Sequence, residues 1–72
     1  MMEIPRGIYR HYRGNLYEVL GLGLHSETHE PMVAYRALYG DYQLWTRPAG
    51  MFLEDVIHEG QSQPRFAPVK LF

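Results

Sequence analysis

The chain has 72 residues, no cysteine and a formal net charge of −1 with neutral histidines. A single domain of this size buries roughly 60% of its unfolded surface, and without cysteine it has neither a disulfide staple nor a thiolate metal site. The charge excludes a broad basic field for nucleic acid, and no apolar run approaches the ~20 residues a membrane helix needs.

Stability must therefore come from large side chains or from a partner subunit. Six Tyr, three Phe and one Trp supply the first. The opening Met-Met-Glu-Ile-Pro has no charged region followed by an apolar one, so it does not read as a signal peptide, and the expected address is the cytoplasm. Residues 1–6 are expected to form a loose arm, with Pro5 blocking regular structure, on a single domain spanning 1–72.

In chain order, Gly7 to Tyr12 is β-branched and aromatic-rich and predicts a first strand. Arg13-Gly14-Asn15 is a turn signal, and Leu16 to Leu24 predicts the second strand of a hairpin. Gly21 and Gly23 inside that strand predict a bulge or bend, which lets a small sheet curl. They do not make a dinucleotide loop, because the third glycine and the following helix are missing. His25 to Glu30 is a polar loop. Met32 to Tyr39 predicts a third strand, with Val33, Tyr35 and Ala37 on one side. Gly40-Asp41 is a turn, and Gln43 to Arg47 a fourth strand. Residues 51–58 fit either a helical face or an alternating strand. A single helical turn over Pro48 to Phe52, then a strand to Glu59, is the favoured reading. A turn at Gly60-Gln61 leads to a last strand over Arg65 to Val69. The expected fold is mainly β: a small SH3-like barrel or a rolled antiparallel sheet of five to six strands with one short helical turn. The alternative is a small α+β fold.

These stretches carry a resemblance. Gly7-x-Tyr9-Arg10-His11-Tyr12-x-Gly14 with Tyr17 and Val19 is one motif, and His25-Ser26-Glu27-Thr28-x-Glu30 another. Val33-x-Tyr35-x-x-Leu38-Tyr39-Gly40, Trp45-x-Arg47-Pro48-x-x-Met51-Phe52 and Pro64-Arg65-Phe66 complete the set. Together they resemble the bacterial domain-of-unknown-function family 1653 over Gly7 to about Phe66. The resemblance implies a bacterial, cytosolic, small β domain and no reaction. Leu24 departs from the family pattern, which has a basic residue before the histidine. That puts in doubt any anion binding in which such a residue takes part.

Four constellations bear on function. His25 and His29, with Glu27, Glu30 and His11, offer metal-ligating atoms, but histidines four apart in a loop do not converge by spacing alone. The favoured reading of them is a solvated loop whose Ser and Thr cap turns. No cofactor is called for. Ser26 sits between His25 and Glu27, yet neighbours in extended chain point to opposite sides and form no relay. Glu27 with Glu30, or Glu54 with Asp55, could do acid–base work only if one were desolvated. Arginines interleaved with Tyr9, Tyr12, Tyr35, Tyr39, Tyr42 and Trp45 could clasp an anion or stack bases, although Arg stems also cover aromatic cores.

The reading that follows is a non-enzymatic binding module. Its expected site is His11 and the loop residues His25, Ser26, Glu27, Thr28 and Glu30, with Trp45, Arg47, Met51 and Phe52 from the neighbouring strand end. The expected partner is a peptide or a small anionic ligand. An enzyme or metal site on the same loop is the rival reading, and weak nucleic-acid binding a third. Arg47 is expected to anchor the loop through Glu27 or Glu30. The surplus of aromatic side chains favours a homodimer or a docked partner.

Overall fold

A computed structural model describes residues 3–72. Seven strands and one short helix follow in order: β1 (Gly7–His11), β2 (Leu16–Leu24), β3 (Pro31–Ala37), β4 (Leu44–Pro48), α1 (Ala49–Phe52), β5 (Asp55–His58), β6 (Gln61–Pro64) and β7 (Phe66–Leu71). Five strands form one antiparallel sheet in the order β4-β3-β2-β1-β7, and β5 and β6 form a separate two-stranded sheet. The larger sheet does not close on itself, so the fold is the rolled antiparallel sheet and not a closed barrel. No described helix is long and apolar enough to cross a membrane.

Side chains alternate between the two faces of a strand, and that alternation builds the core. Gly7, Val19, Tyr35 and Trp45 lie side by side across four strands and share one face. Tyr9, Tyr17 and Ala37 form the next row on that face. Val19, Val33, Tyr35, Ala49, Phe52 and Phe66 are buried there. Phe52 comes from α1 and stacks on Phe66 of β7, with ring centroids 4.1 Å apart and planes 6° off parallel. Tyr9 and Tyr35 meet Phe52 edge-on at 5.7 and 5.5 Å. A core of packed rings suits a chain this short, because each ring buries a large apolar area.

The register of β2 against β3 slips between Val19 and Gly21. Leu20 is the extra residue, and the slip resets the alternation. Val19 and Leu22 both face the core side, while Gly21 and Gly23 face the opposite side with Ala34 and Met32. The bulge expected at these glycines is present, one residue before Gly21.

The reading of 1–6 as a loose arm is corrected for the described part. Ile4 is buried in the core cluster. The hydroxyl of Tyr9 donates to the Pro5 carbonyl at 2.7 Å, and Phe72 N–H donates to the Arg6 carbonyl at 3.0 Å. A buried isoleucine and these bonds hold the segment against the sheet. Residues 1–2 lie outside the described residues.

The ambiguity over 51–58 resolves into the helical turn and then a strand, as favoured. The strand count rises by one above the expected range, because Gln61–Pro64 pairs with β5. Its sequence, Gln-Ser-Gln-Pro, has little strand preference of its own. The hairpin forms because Glu59 and Gly60 both adopt positive φ, at 53° and 78°. Two such residues make the turn whose twist matches that of paired strands.

Candidate functional site

On the core-facing side of the five-stranded sheet, a cavity of about 170 Å³ is lined by His11, Tyr17, Tyr35, Trp45, Arg47 and Phe66. Every strand of that sheet contributes to it: β1 gives His11, β2 Tyr17, β3 Tyr35, β4 Trp45 and Arg47, and β7 Phe66. The wall is a set of edge-to-face rings. Tyr17 lies 5.5 Å from both Tyr35 and Phe66, and His11 lies 5.0 Å from Phe66. Tyr35 and Phe66 are buried, whereas Trp45 is half exposed and forms the open rim.

The polar groups at the cavity are few and mostly donors. Arg47 Nε donates to the Tyr35 hydroxyl at 3.3 Å. Among the described residues this is its one side-chain hydrogen bond, and no carboxylate pairs with it. His11 Nδ1 accepts the backbone N–H of Arg13 at 3.2 Å, which leaves Nε2 to carry the ring proton. Burial pushes the His11 pKa below its ordinary value, and the positive charges of Arg65, Arg13 and Arg47 push it further the same way. The ring is therefore neutral at pH 7 and surrounded by arginines. The Tyr17 and Tyr39 hydroxyls are 2.9 Å apart. Burial, and then that bond, raise the Tyr17 pKa to about 12, so the phenol stays protonated. A guanidinium, an imidazole N–H and aromatic walls, with no acid in the lining, can receive an anionic group that carries a flat or apolar body.

The polar loop is differently built. His25 N–H donates to the Glu30 carbonyl at 2.8 Å, and His29 N–H to the His25 carbonyl at 2.9 Å. The His25 ring turns back on its own loop, where Nδ1 accepts the N–H groups of Glu27 at 3.1 Å and Thr28 at 3.3 Å. The Thr28 hydroxyl accepts from Glu30 N–H at 3.2 Å. These side chains serve the turn, as Ser, Thr and Asx side chains commonly do. Residues 26–30 are all exposed. His29 holds a φ of 62°, and among the described residues no three His, Asp or Glu side chains converge as metal ligands.

The structure divides the sequence-derived candidates into four groups. His11, Trp45 and Arg47 come together in the aromatic cavity. His25 instead borders a second depression, of about 260 Å³, with Gly23, Leu24, Met32, Ala34 and Thr46. That depression is on the opposite face, because Ala34 and Thr46 pair with each other and alternate with Tyr35 and Arg47. Ser26, Glu27, Thr28 and Glu30 stand in the exposed turn. Met51 is exposed and Phe52 belongs to the core; the Met51 carbonyl accepts from Arg65 Nε at 3.2 Å.

The expected pairing of Arg47 with Glu27 or Glu30 does not form. Arg47 lies opposite Val33, two residues along from the Tyr35 pair, so its side chain falls on the core face beside Tyr35. The two glutamates belong to a turn stapled by its own bonds. Sequence reasoning missed Tyr17 and Phe66 as lining residues, and it named Tyr35 only among the aromatics interleaved with arginine and not in the expected site. The available signal was phase: Tyr17 and Val19 of β2, Tyr35 and Val33 of β3, and Trp45 and Arg47 of β4 are each two apart, so each pair shares a face.

A comparison with curated, characterised proteins finds no match. One solved structure that is similar is that of a DUF1653 protein from Bordetella bronchiseptica. It is 38% identical, with 97% of this chain and 92% of that chain covered and a TM-score of 0.89. The family model described as "Protein of unknown function (DUF1653)" matches residues 7–68. Nearly the whole chain is thus accounted for by one sequence pattern and one fold, and it belongs to the DUF1653 family.

Proposed function

We propose that this chain is a non-enzymatic binding module of the cytoplasm that takes an anionic group in the cavity between His11, Tyr17, Tyr35, Trp45, Arg47 and Phe66. The observation that carries this reading is Arg47: a partly buried guanidinium at an aromatic cavity, with one long hydrogen bond and no carboxylate partner among the described residues. A carboxylate on that guanidinium gains a charge-assisted and potentially bidentate bond. The walls supply apolar contact for the rest of the group.

Size narrows the ligand. Drug-sized ligands occupy about 300–1,000 Å³, whereas an engineered cavity of about 150 Å³ holds a single benzene ring. At about 170 Å³ this cavity suits one ring or one amino-acid side chain.

The test is a titration of ¹⁵N-labelled protein with benzoate, observed by NMR. Benzoate is expected to shift the Trp45 indole N–H and the Arg47 Nε–H in a saturable way. Benzamide is expected to bind at least about tenfold more weakly, since a hydrogen bond to a charged group contributes about 1.5–3 kcal/mol. Arg47→Gln is expected to remove the difference between the two probes. Shifts confined to His25–Glu30 would return the site to the loop, and no saturable shift anywhere would end the cavity reading.

A further inference from the structure

We propose that the natural ligand is an extended peptide segment that adds to the free edge of β4 and directs an acidic side chain at Arg47. This rests on the reading of the cavity as an anion site, and it names the kind of molecule that carries the anion.

The first observation is the edge itself. β4 ends the order of the five-stranded sheet, so one side of Leu44–Pro48 has no partner strand. The hydrogen-bond phase says which groups are free. Ala37 N–H donates to the Gln43 carbonyl at 3.0 Å, so that opposed pair is hydrogen-bonded. In an antiparallel ladder such pairs recur at every second residue. Tyr35 with Trp45 and Val33 with Arg47 are then also bonded pairs. Leu44 and Thr46, the alternate residues, point their N–H and C=O groups away from the sheet. Gln43 Nε2 donates to the Leu44 carbonyl at 3.1 Å, a bond that an incoming strand would displace.

The second observation is the contrast with the other edge. Tyr12 N–H donates to the Arg65 carbonyl, so along β7 the bonded residues are Arg65 and Ala67, and Phe66 and Pro68 face outward. Proline has no N–H to offer, and proline on an edge is a recognised block to strand addition. β4 has a proline in the outward phase too, Pro48, but it closes the strand's C-terminal end and leaves the outward N–H groups of Leu44 and Thr46 free, whereas Pro68 falls inside β7. β4 carries no lysine, and Leu44 and Trp45 are about half exposed, at 45% and 50%.

The third observation joins edge to cavity. Trp45 and Arg47, the two cavity residues nearest the edge, belong to β4 itself. A strand laid along β4 sends every second side chain to the core face, beside these two residues. Directly opposed side chains lie about 4.5–5.5 Å apart at Cβ, and diagonal ones about 7–8 Å, within reach of a glutamate. Main-chain bonds then give affinity and one side chain gives specificity, the usual division in strand addition. The cavity's single-side-chain volume fits that division.

Charge chooses the occupant. The groups facing the cavity are Arg47 and the neutral His11, with Arg65 and Arg13 close enough to depress the His11 pKa. A second copy docked strand to strand would bring Leu44–Pro48, which holds an arginine and no acid. It would leave Arg47 without a carboxylate, so an acidic peptide is the better match.

The test uses the blocked peptide Thr-Val-Glu-Val-Thr with the full-length protein. Bound peptide is expected to slow hydrogen exchange at the Leu44 and Thr46 amides at least about tenfold. The glutamine version is expected to bind about tenfold or more weakly, and a version N-methylated on alternate amides to lose binding. Thr46→Pro removes an outward N–H and leaves the β3 ladder intact. It is expected to abolish peptide binding while benzoate still binds, with folding checked by thermal melting. If benzoate binds but the peptide neither binds nor protects the two amides, the strand-addition inference is overturned and the cavity reading survives. If neither ligand binds, both fall. If the two amides are protected in free protein, increasingly with protein concentration, the edge belongs to a second copy and the peptide is excluded.

Discussion

Arg47 Nε donates to the hydroxyl of Tyr35 at 3.3 Å, and the two residues stand on the same face of neighbouring strands. The bond is long, its acceptor is neutral, and the guanidinium is only partly buried. A hydrogen bond between protein groups contributes about 0.5–1.5 kcal/mol, and this geometry is at the weak end. Arg47→Gln is therefore expected to lower stability by less than about 1 kcal/mol in urea denaturation, while benzoate affinity falls to that of benzamide. Glu27→Ala and Glu30→Ala are expected to change stability by no more than about 0.5 kcal/mol, as exposed substitutions usually do. A large loss from either glutamate would restore the ion pair that the sequence suggested.

His25 gives the sharpest separation of loop from cavity. Its Nδ1 receives two backbone N–H groups, so His25→Ala leaves both without that acceptor. Exchange at the Glu27 and Thr28 amides is expected to speed up, with a global cost of about 0.5–1.5 kcal/mol at most. Benzoate affinity is expected to stay the same. An affinity drop with an unchanged fold would mean that the loop takes part in binding.

The pH dependence follows from His11. Its folded pKa lies below its ordinary value of about 6.5, with burial the largest cause and Arg65, Arg13 and Arg47 following. Between the folded value and about 6.5, the unfolded chain binds more protons than the native one. Stability from this group is thus present above about pH 6.5 and is lost as the pH falls through the folded pKa. Arg65→Gln is expected to raise the His11 pKa part of the way, read from the imidazole proton shifts. Bound benzoate is expected to raise it too, so benzoate affinity increases as pH falls through that range. An affinity that is flat from pH 7 to pH 5 would place the anion away from His11.

Two glycines test the packing. A Cβ on Gly7 would strike the Lys70 carbonyl oxygen and come within 2.8 Å of Leu71 Cα, both backbone atoms of β7. Gly7→Ala must force β1 and β7 apart, with an expected loss of about 1–3 kcal/mol, the range for overpacking. Set against the roughly 3–5 kcal/mol that a core of this size supplies, that is about a fifth of the stability or more. Gly23→Ala meets nothing within 4 Å and has no positive φ, so it is expected to be neutral or to stabilise by about 0.4–1 kcal/mol. Equal effects in urea denaturation would mean that close approach of β7 is not what requires glycine at position 7.

What the sequence determined by itself was local. Leu16 to Leu24 is a strand at those bounds, the turns fall at Gly14, Gly40 and Gly60, and Val33, Tyr35 and Ala37 share one buried face. Strand preference, turn chemistry and period-two alternation depend on residues a few positions apart, so they can be read along the chain. The site could be read only in part: His11, Trp45 and Arg47 were named, but so was a loop on which they do not converge. The tertiary structure decided the rest. Gln61–Pro64 became a strand because β5 offered it a ladder, and Ile4 was buried because the sheet left it a place. The extra residue at Leu20 turned Leu22 toward the core and Gly21 and Gly23 away from it. Arg47 met Tyr35 instead of a glutamate because the register of β4 on β3 fixed its face. Each of these depends on hydrogen bonds between residues far apart in sequence, and a bulge of one residue is enough to reverse which side chains meet.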